Sequence, residues 1–143
     1  MKSTGFILSA VCLVTVFTSC LKSKDDAGPA QVFSWRIDNG TEQFSDSTNF
    51  LRLFGANMIY GKKGTTIVYV SMNANNPGLY SNTLANGSVG LTIAGTQYGC
   101  FSGFINITSN SNSRLNGTFN AEMIVSNVDT INLTGSFTNV RFY

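Results

Sequence analysis

Residues 115–140, LNGTFNAEMIVSNVDTINLTGSFTNV, decide how this chain folds. Phe119, Met123 and Val125 before the middle, and Ile131, Leu133 and Phe137 after it, keep to alternate positions, with Thr, Asn, Ser and Glu between them. A period of two puts successive side chains on opposite faces of an extended strand, whereas a helix repeats about every 3.6 residues. The two runs therefore read as one antiparallel hairpin. A five-residue loop at 126–130, centred on Val128, sets Val125 against Ile131, Met123 against Leu133 and Phe119 against Phe137. The other face then pairs Glu122 with Thr134, Asn120 with Ser136 and Thr118 with Thr138. Sliding by one residue would set Glu122 against Leu133 and mix the faces.

The same alternation continues upstream. Phe33, Trp35 and Ile37 alternate with Ser34 and Arg36, and Asp38-Asn39-Gly40 supplies a turn whose Asn-Gly pair tolerates positive φ, giving a first hairpin over 32–45. Further strands are expected at 49–54, 57–60, 65–73, 88–94 and 103–109, each bounded by Gly, Asn or Ser. Residues 73–78, NANNPG, read as a loop in which Pro77 blocks pairing. Gly61-Lys62-Lys63-Gly64 reads as a hairpin turn with solvated lysines, since no glycine-rich segment follows a strand and opens a helix. The expected fold is all-β: one antiparallel β-sandwich or flattened barrel over 32–143.

The N-terminal end has a different character. Lys2 precedes an uncharged run, FILSAVCLVTVF at 6–17. Its twelve residues would reach ~18 Å as a helix, short of the ~30 Å hydrocarbon core of a bilayer, so the run reads as an export signal over 1–19. Residues 20–31, CLKSKDDAGPAQ, lack apolar periodicity and read as a flexible tether. Of three cysteines, Cys12 falls in the signal and Cys20 at its end, leaving Cys100. An exported domain with one remaining cysteine has no intrachain disulfide, so an apolar core must hold it, and Cys100 reads as a small buried hydrophobe.

Phe17-Thr18-Ser19-Cys20 resembles the lipobox of bacterial lipoproteins, with Phe17 where that pattern usually has Leu. The resemblance implies lipidation of Cys20 and membrane attachment through it; an ordinary secreted protein with Cys20 as a spare thiol is the alternative. Lys24-Asp25-Asp26 resembles the short signal that sends lipoproteins of Bacteroidota to the cell surface. The series Ile37-Asp38-Asn39-Gly40, Pro77-Gly78-Leu79-Tyr80, 103–108 (GFINIT), Leu115-Asn116-Gly117-Thr118-Phe119 and 132–137 (NLTGSF) is similar to a family of Bacteroidota lipoproteins whose β-rich domain has no assigned function. That similarity spans nearly the whole domain and implies a fold and an outer-membrane address, without implying any catalytic residue. Asp46-Ser47-Thr48 and Asp129-Thr130-Ile131 further resemble the Bacteroidota O-glycosylation acceptor.

Composition restricts the chemistry. The chain has no histidine, which removes His-activated nucleophiles, histidine metal sites and the commonest general base near neutral pH. Beyond the tether the carboxylates are Asp38, Glu42, Asp46, Glu122 and Asp129, which form neither a calcium-loop spacing nor an evident acid pair. We therefore expect no enzyme, no metal and no cofactor, with a histidine-free glycoside-active enzyme as the alternative. Nine Lys and Arg against seven Asp and Glu nearly cancel, and no basic stripe suggests nucleic acid.

Binding remains. A neutral surface rich in amides and hydroxyls suits carbohydrate when it offers flat aromatic faces. Trp35 is in phase with Phe33 and Ile37 and so belongs to the core, whereas Tyr69 opposes the more apolar Val68, Val70 and Met72. Tyr69, with Tyr60 and Tyr80 near loop boundaries, is the candidate ligand-facing set. A partner protein on a sheet edge is the alternative. A glycan binder should gather aromatics on one concave face, and a protein partner should find a flat apolar patch or a bare edge.

Overall fold

The computed structural model describes residues 28–53, 55–83, 86–125 and 129–142. The expected export signal, Cys20 and the expected tether up to Ala27 lie outside the described residues. The end of the tether is exposed yet held to the domain. Arg114 Nη1 donates to Pro29 O at 3.2 Å, and Arg141 N donates to Gln31 Oε1 at 3.2 Å.

The strands are β1 (Val32–Ile37), β2 (Gln43–Phe44), β3 (Ser47–Leu53), β4 (Ala56–Lys63), β5 (Thr66–Met72), β6 (Gly78–Ser81), β7 (Gly87–Ile93), β8 (Thr96–Ser111), β9 (Arg114–Val125) and β10 (Asp129–Arg141). They form one antiparallel sheet in the order β2-β1-β10-β9-β8-β7-β5-β4-β3, with β6 added to β8. The sheet curls into a half-barrel, an all-β single domain built from one continuous layer instead of two stacked sheets. The long β8 makes this possible. Its start pairs with β7 through Leu91↔Tyr98, its later part pairs with β6 and β9, and a bulge between Cys100 and Ser102 bends it in between.

The two ends of the sheet meet through consecutive residues. β2 and β3 are opposite edges of the sheet but are separated in the chain only by Ser45 and Asp46. Ser45 N donates to Phe33 O on β1 at 2.9 Å, and Asp46 N donates to Lys62 O on β4 at 2.8 Å. Across one peptide bond the backbone thus changes partner from one end of the sheet to the other. The Ser45 and Thr48 hydroxyls, 2.7 Å apart, brace that corner.

The concave side holds the core. Phe33, Trp35, Ile59, Val68, Val70, Met72, Val89, Leu91, Ile105, Ile107, Leu115, Phe119, Met123, Leu133 and Phe137 are all buried. Trp35 and the Val68, Val70, Met72 face lie inside, as their phase requires. Phe33 packs against Trp35 (6.1 Å between ring centres) and stacks on Phe119 (5.6 Å, 28°).

The last hairpin keeps the expected faces but not the expected register. Phe119 pairs with Gly135 and Phe137 with Gly117, while Ile131 pairs with Met123 and Leu133 with Ala121. The slip is two residues, which preserves every side chain's face, and it shortens the loop to 126–128, outside the described residues. The glycines are the reason. A side chain on Gly135 would collide with the Phe119 ring, and one on Gly117 with the Phe137 ring. The repeated Gly-x-Phe phrase thus interlocks reciprocally: each phenylalanine occupies the space its partner strand's glycine leaves open.

Other departures are local. In the first turn Asp38, not Asn39 or Gly40, takes the positive φ (51°), and Asp38 Oδ1 accepts from Asn132 N at 2.9 Å. β1 meets β2 at only two register positions, Ser34↔Phe44 and Trp35↔Gln43, and pairs along its length with β10. β6, not expected, begins immediately after Pro77, where the missing N–H no longer interferes. Lys62 and Lys63 belong to β4, and the turn is Gly64-Thr65. Ala94-Gly95 and Asn112-Ser113 make two-residue turns with positive φ at both positions, the geometry that matches strand twist and lets β7, β8 and β9 follow one another directly.

Candidate functional site

The structure brings two of the three candidate tyrosines together. Tyr60 on β4 and Tyr69 on β5 are directly opposite, on the outer face, in a row that runs Asn49, Tyr60, Tyr69, Gly90 from β3 to β7. Directly opposed side chains in such a pair have Cβ atoms ~5 Å apart. Both are half-buried. The Tyr69 ring lies across Gly90, where any side chain would run into it. That glycine lets the ring lie down on the sheet. The next outer row is Leu51, Met58, Ser71, Ser88. Leu51 (42% exposed) and Leu53 (46%) extend the strip toward the β3 edge.

Tyr80 does not join them. It pairs with Ile105, packs on the core side, and donates its hydroxyl to Asn76 O at 2.7 Å, fastening the 73–78 loop. Three of the carboxylates have structural partners. Asp38 holds the first turn, Asp46 Oδ2 accepts from Gly64 N at 3.4 Å, and Glu122 Oε2 accepts from Ser102 Oγ at 3.2 Å. Among the described residues no three His, Cys, Asp or Glu gather as a metal site.

Cys100 is half-buried at the β8 bulge, with Sγ donating to Ser102 O at 3.3 Å. Burial pushes its thiol pKa up, and a hydrogen bond from the Val89 backbone offsets only part of that. A raised pKa leaves less thiolate at neutral pH. Alkylation of native protein by iodoacetamide is expected to be slower than of the unfolded chain at pH 8, with its pH profile displaced upward. Since the unfolded thiol ionises first as pH climbs, this group's contribution to stability is full below the free-thiol range and declines through the raised pKa. The same bulge leaves Phe101 73% exposed.

Sequence reading missed a concavity at the rim of the half-barrel. Arg52 and Asn57 are cross-strand partners on the inner face of β3 and β4, and with Asn73, Asn75 and Phe142 they line a cavity of about 270 Å³. The walls are fixed from outside. Asn75 O accepts from Asn110 Nδ2 at 2.8 Å, Asn73 N donates to Asn86 O at 3.1 Å, and Phe142 N donates to Ser113 O at 3.1 Å with its ring 6.1 Å from Phe50. The only local signal was Arg52 in phase with the inward Phe50 on β3. No family model, no curated protein and no solved structure matches this chain.

Proposed function

We propose that this chain is a non-catalytic binding module, lipid-anchored through Cys20 to a bacterial outer membrane and displayed at the cell surface. Its working surface is the outer face of β3, β4 and β5. The observation that carries the reading is the Tyr60–Tyr69 pair, two aromatic faces side by side among Asn49, Ser71, Ser88 and Gly90. Such rings stack on the C–H faces of sugars while neighbouring amides and hydroxyls satisfy the sugar hydroxyls. A glycan chain lying along the strip would suit an accessory protein of a glycan-uptake system. The second reading is a partner protein on the same strip. It is favoured by the outward curvature of this face and by the exposure of Leu51 and Leu53.

The leader, Thr18-Ser19-Cys20 and Lys24-Asp25-Asp26 support the address, and a lipoprotein carrying more than one acyl chain is stably anchored where a single chain is marginal. Protease added to intact cells is expected to remove the wild-type domain, and Cys20→Ala is expected to release it from the membrane fraction. Protection in intact cells would place the domain on the periplasmic side instead. Tyr60→Ala and Tyr69→Ala should each weaken retention on neutral polysaccharide in affinity electrophoresis by about three- to tenfold, an aromatic contact's worth, with the melting temperature little changed. Unchanged retention would remove the glycan reading and leave the protein partner.

A further inference from the structure

The rim cavity is chemically unlike the tyrosine strip. Asn57 is 8% exposed, so it is more than nine-tenths buried, yet no protein group hydrogen-bonds its side chain among the described residues. A fully sealed amide without a partner would cost roughly 1–3 kcal/mol, and among the described residues no sealed side-chain polar atom is left unsatisfied. The amide must therefore open into the cavity it lines. Beside it Arg52 is exposed and, among the described residues, makes no ion pair or hydrogen bond through its guanidinium. Among the described residues no Asp or Glu lines the cavity.

We propose that this rim is a binding site for the carboxylate-bearing ring of an acidic sugar, a uronic acid residue. The guanidinium of Arg52 presents a planar fork that matches a carboxylate in bidentate fashion. The Asn57 amide next to it both donates and accepts, as a ring hydroxyl requires. Phe142 provides an apolar wall of the kind on which the C–H face of a sugar ring rests. About 270 Å³ falls just under the ~300–1,000 Å³ of pockets that enclose a drug-sized ligand, so the site fits one ring or chain end. The backbone of the walls is already held by bonds outside the cavity, so the ordering that accompanies binding falls on the Arg52 side chain. This site lies on the inner face of β3 and β4 and uses neither Tyr60 nor Tyr69, so it stands or falls separately from the strip.

The test is titration of the full chain in detergent micelles with glucuronic acid, glucose, methyl glucuronate, acetate and inorganic phosphate, followed by NMR shifts or calorimetry. Glucuronic acid is expected to bind in the millimolar range, with glucose and methyl glucuronate at least tenfold weaker. Arg52→Gln, an exposed position that leaves the core untouched, should cost at least tenfold, and Arg52→Lys should restore part of the loss. Asn57→Asp supplies Arg52 with its own carboxylate across the strand pair and should abolish binding. Acetate or phosphate binding as tightly as glucuronic acid would overturn the sugar assignment and leave a plain anion site. Equal binding of glucose, or indifference to Arg52→Gln in a variant that melts normally, would overturn the proposal altogether.

Discussion

Gly135→Val is expected to lower the free energy of unfolding by about 3 kcal/mol, at the upper end of what overpacking a core usually costs. Gly135 lies between two neighbours at once, opposite Phe119 on β9 and opposite Trp35 on β1. A side chain there would enter the Phe119 ring on one side and the Ser34 carbonyl on the other. The ring alone could rotate away, but the backbone of a central strand cannot yield without breaking its ladder. Urea denaturation followed by circular dichroism measures the change as a lower midpoint at similar slope. Shortening the ring should recover part of it: Gly135→Ala with Phe119→Leu is expected to lose less than the two single changes added together. The recovery is partial because the Ser34 carbonyl remains. A midpoint for Gly135→Val equal to wild type would mean that the hairpin tolerates another register, and the interlocking of Gly117 with Phe137 and Gly135 with Phe119 would no longer explain the fold.

Phe33→Ala is expected to cost about 3–5 kcal/mol, the range for removing a fully buried aromatic ring. Phe33 is 1% exposed, stacks on Phe119, packs on Trp35, and reaches across the interior to Gly61 on β4, where a side chain would meet its ring. It therefore touches both ends of the sheet, close to where Ser45 and Asp46 change partners. Its loss removes apolar contact area and the packing that holds β1 against β4. The sequence has one tryptophan, Trp35, beside the deleted ring. Its emission should shift to longer wavelength in Phe33→Ala as water reaches it, while Phe50→Ala, near the rim, should leave the emission maximum in place. An unshifted Trp35 with a small change in midpoint would show that the seam is held by its backbone hydrogen bonds and not by the ring.

Much of the architecture could be read before any coordinates. Strict alternation sorted Phe33, Trp35 and Ile37 from Ser34 and Arg36, and Val68, Val70 and Met72 from Tyr69, because burial acts on one face of a pleated strand at a time. The same alternation survived a two-residue error in the last hairpin, since an even slip leaves every face unchanged. The error arose from pairing like with like, Phe119 with Phe137, when ring volume favours a glycine opposite. β6 was hidden by Pro77, and the length of β8 by the glycines and the bulge that interrupt its apolar phase.

Sites were less legible than faces, for the same physical reason. Local phase was enough to turn Tyr69 away from the core, but only the β4–β5 register sets Tyr60 beside it and leaves Tyr80 elsewhere. Arg52, Asn57 and Phe142 meet only because the sheet curls and carries the end of β10 to the ends of β3 and β4. Period-two patterning, turn residues and the absence of histidine are properties of short segments, and they determined the all-β class, the inward and outward faces and the chemistry excluded. Register, closure at Ser45-Asp46 and the rim cavity depend on which volumes are vacant when distant strands come together, and only the tertiary structure decides that.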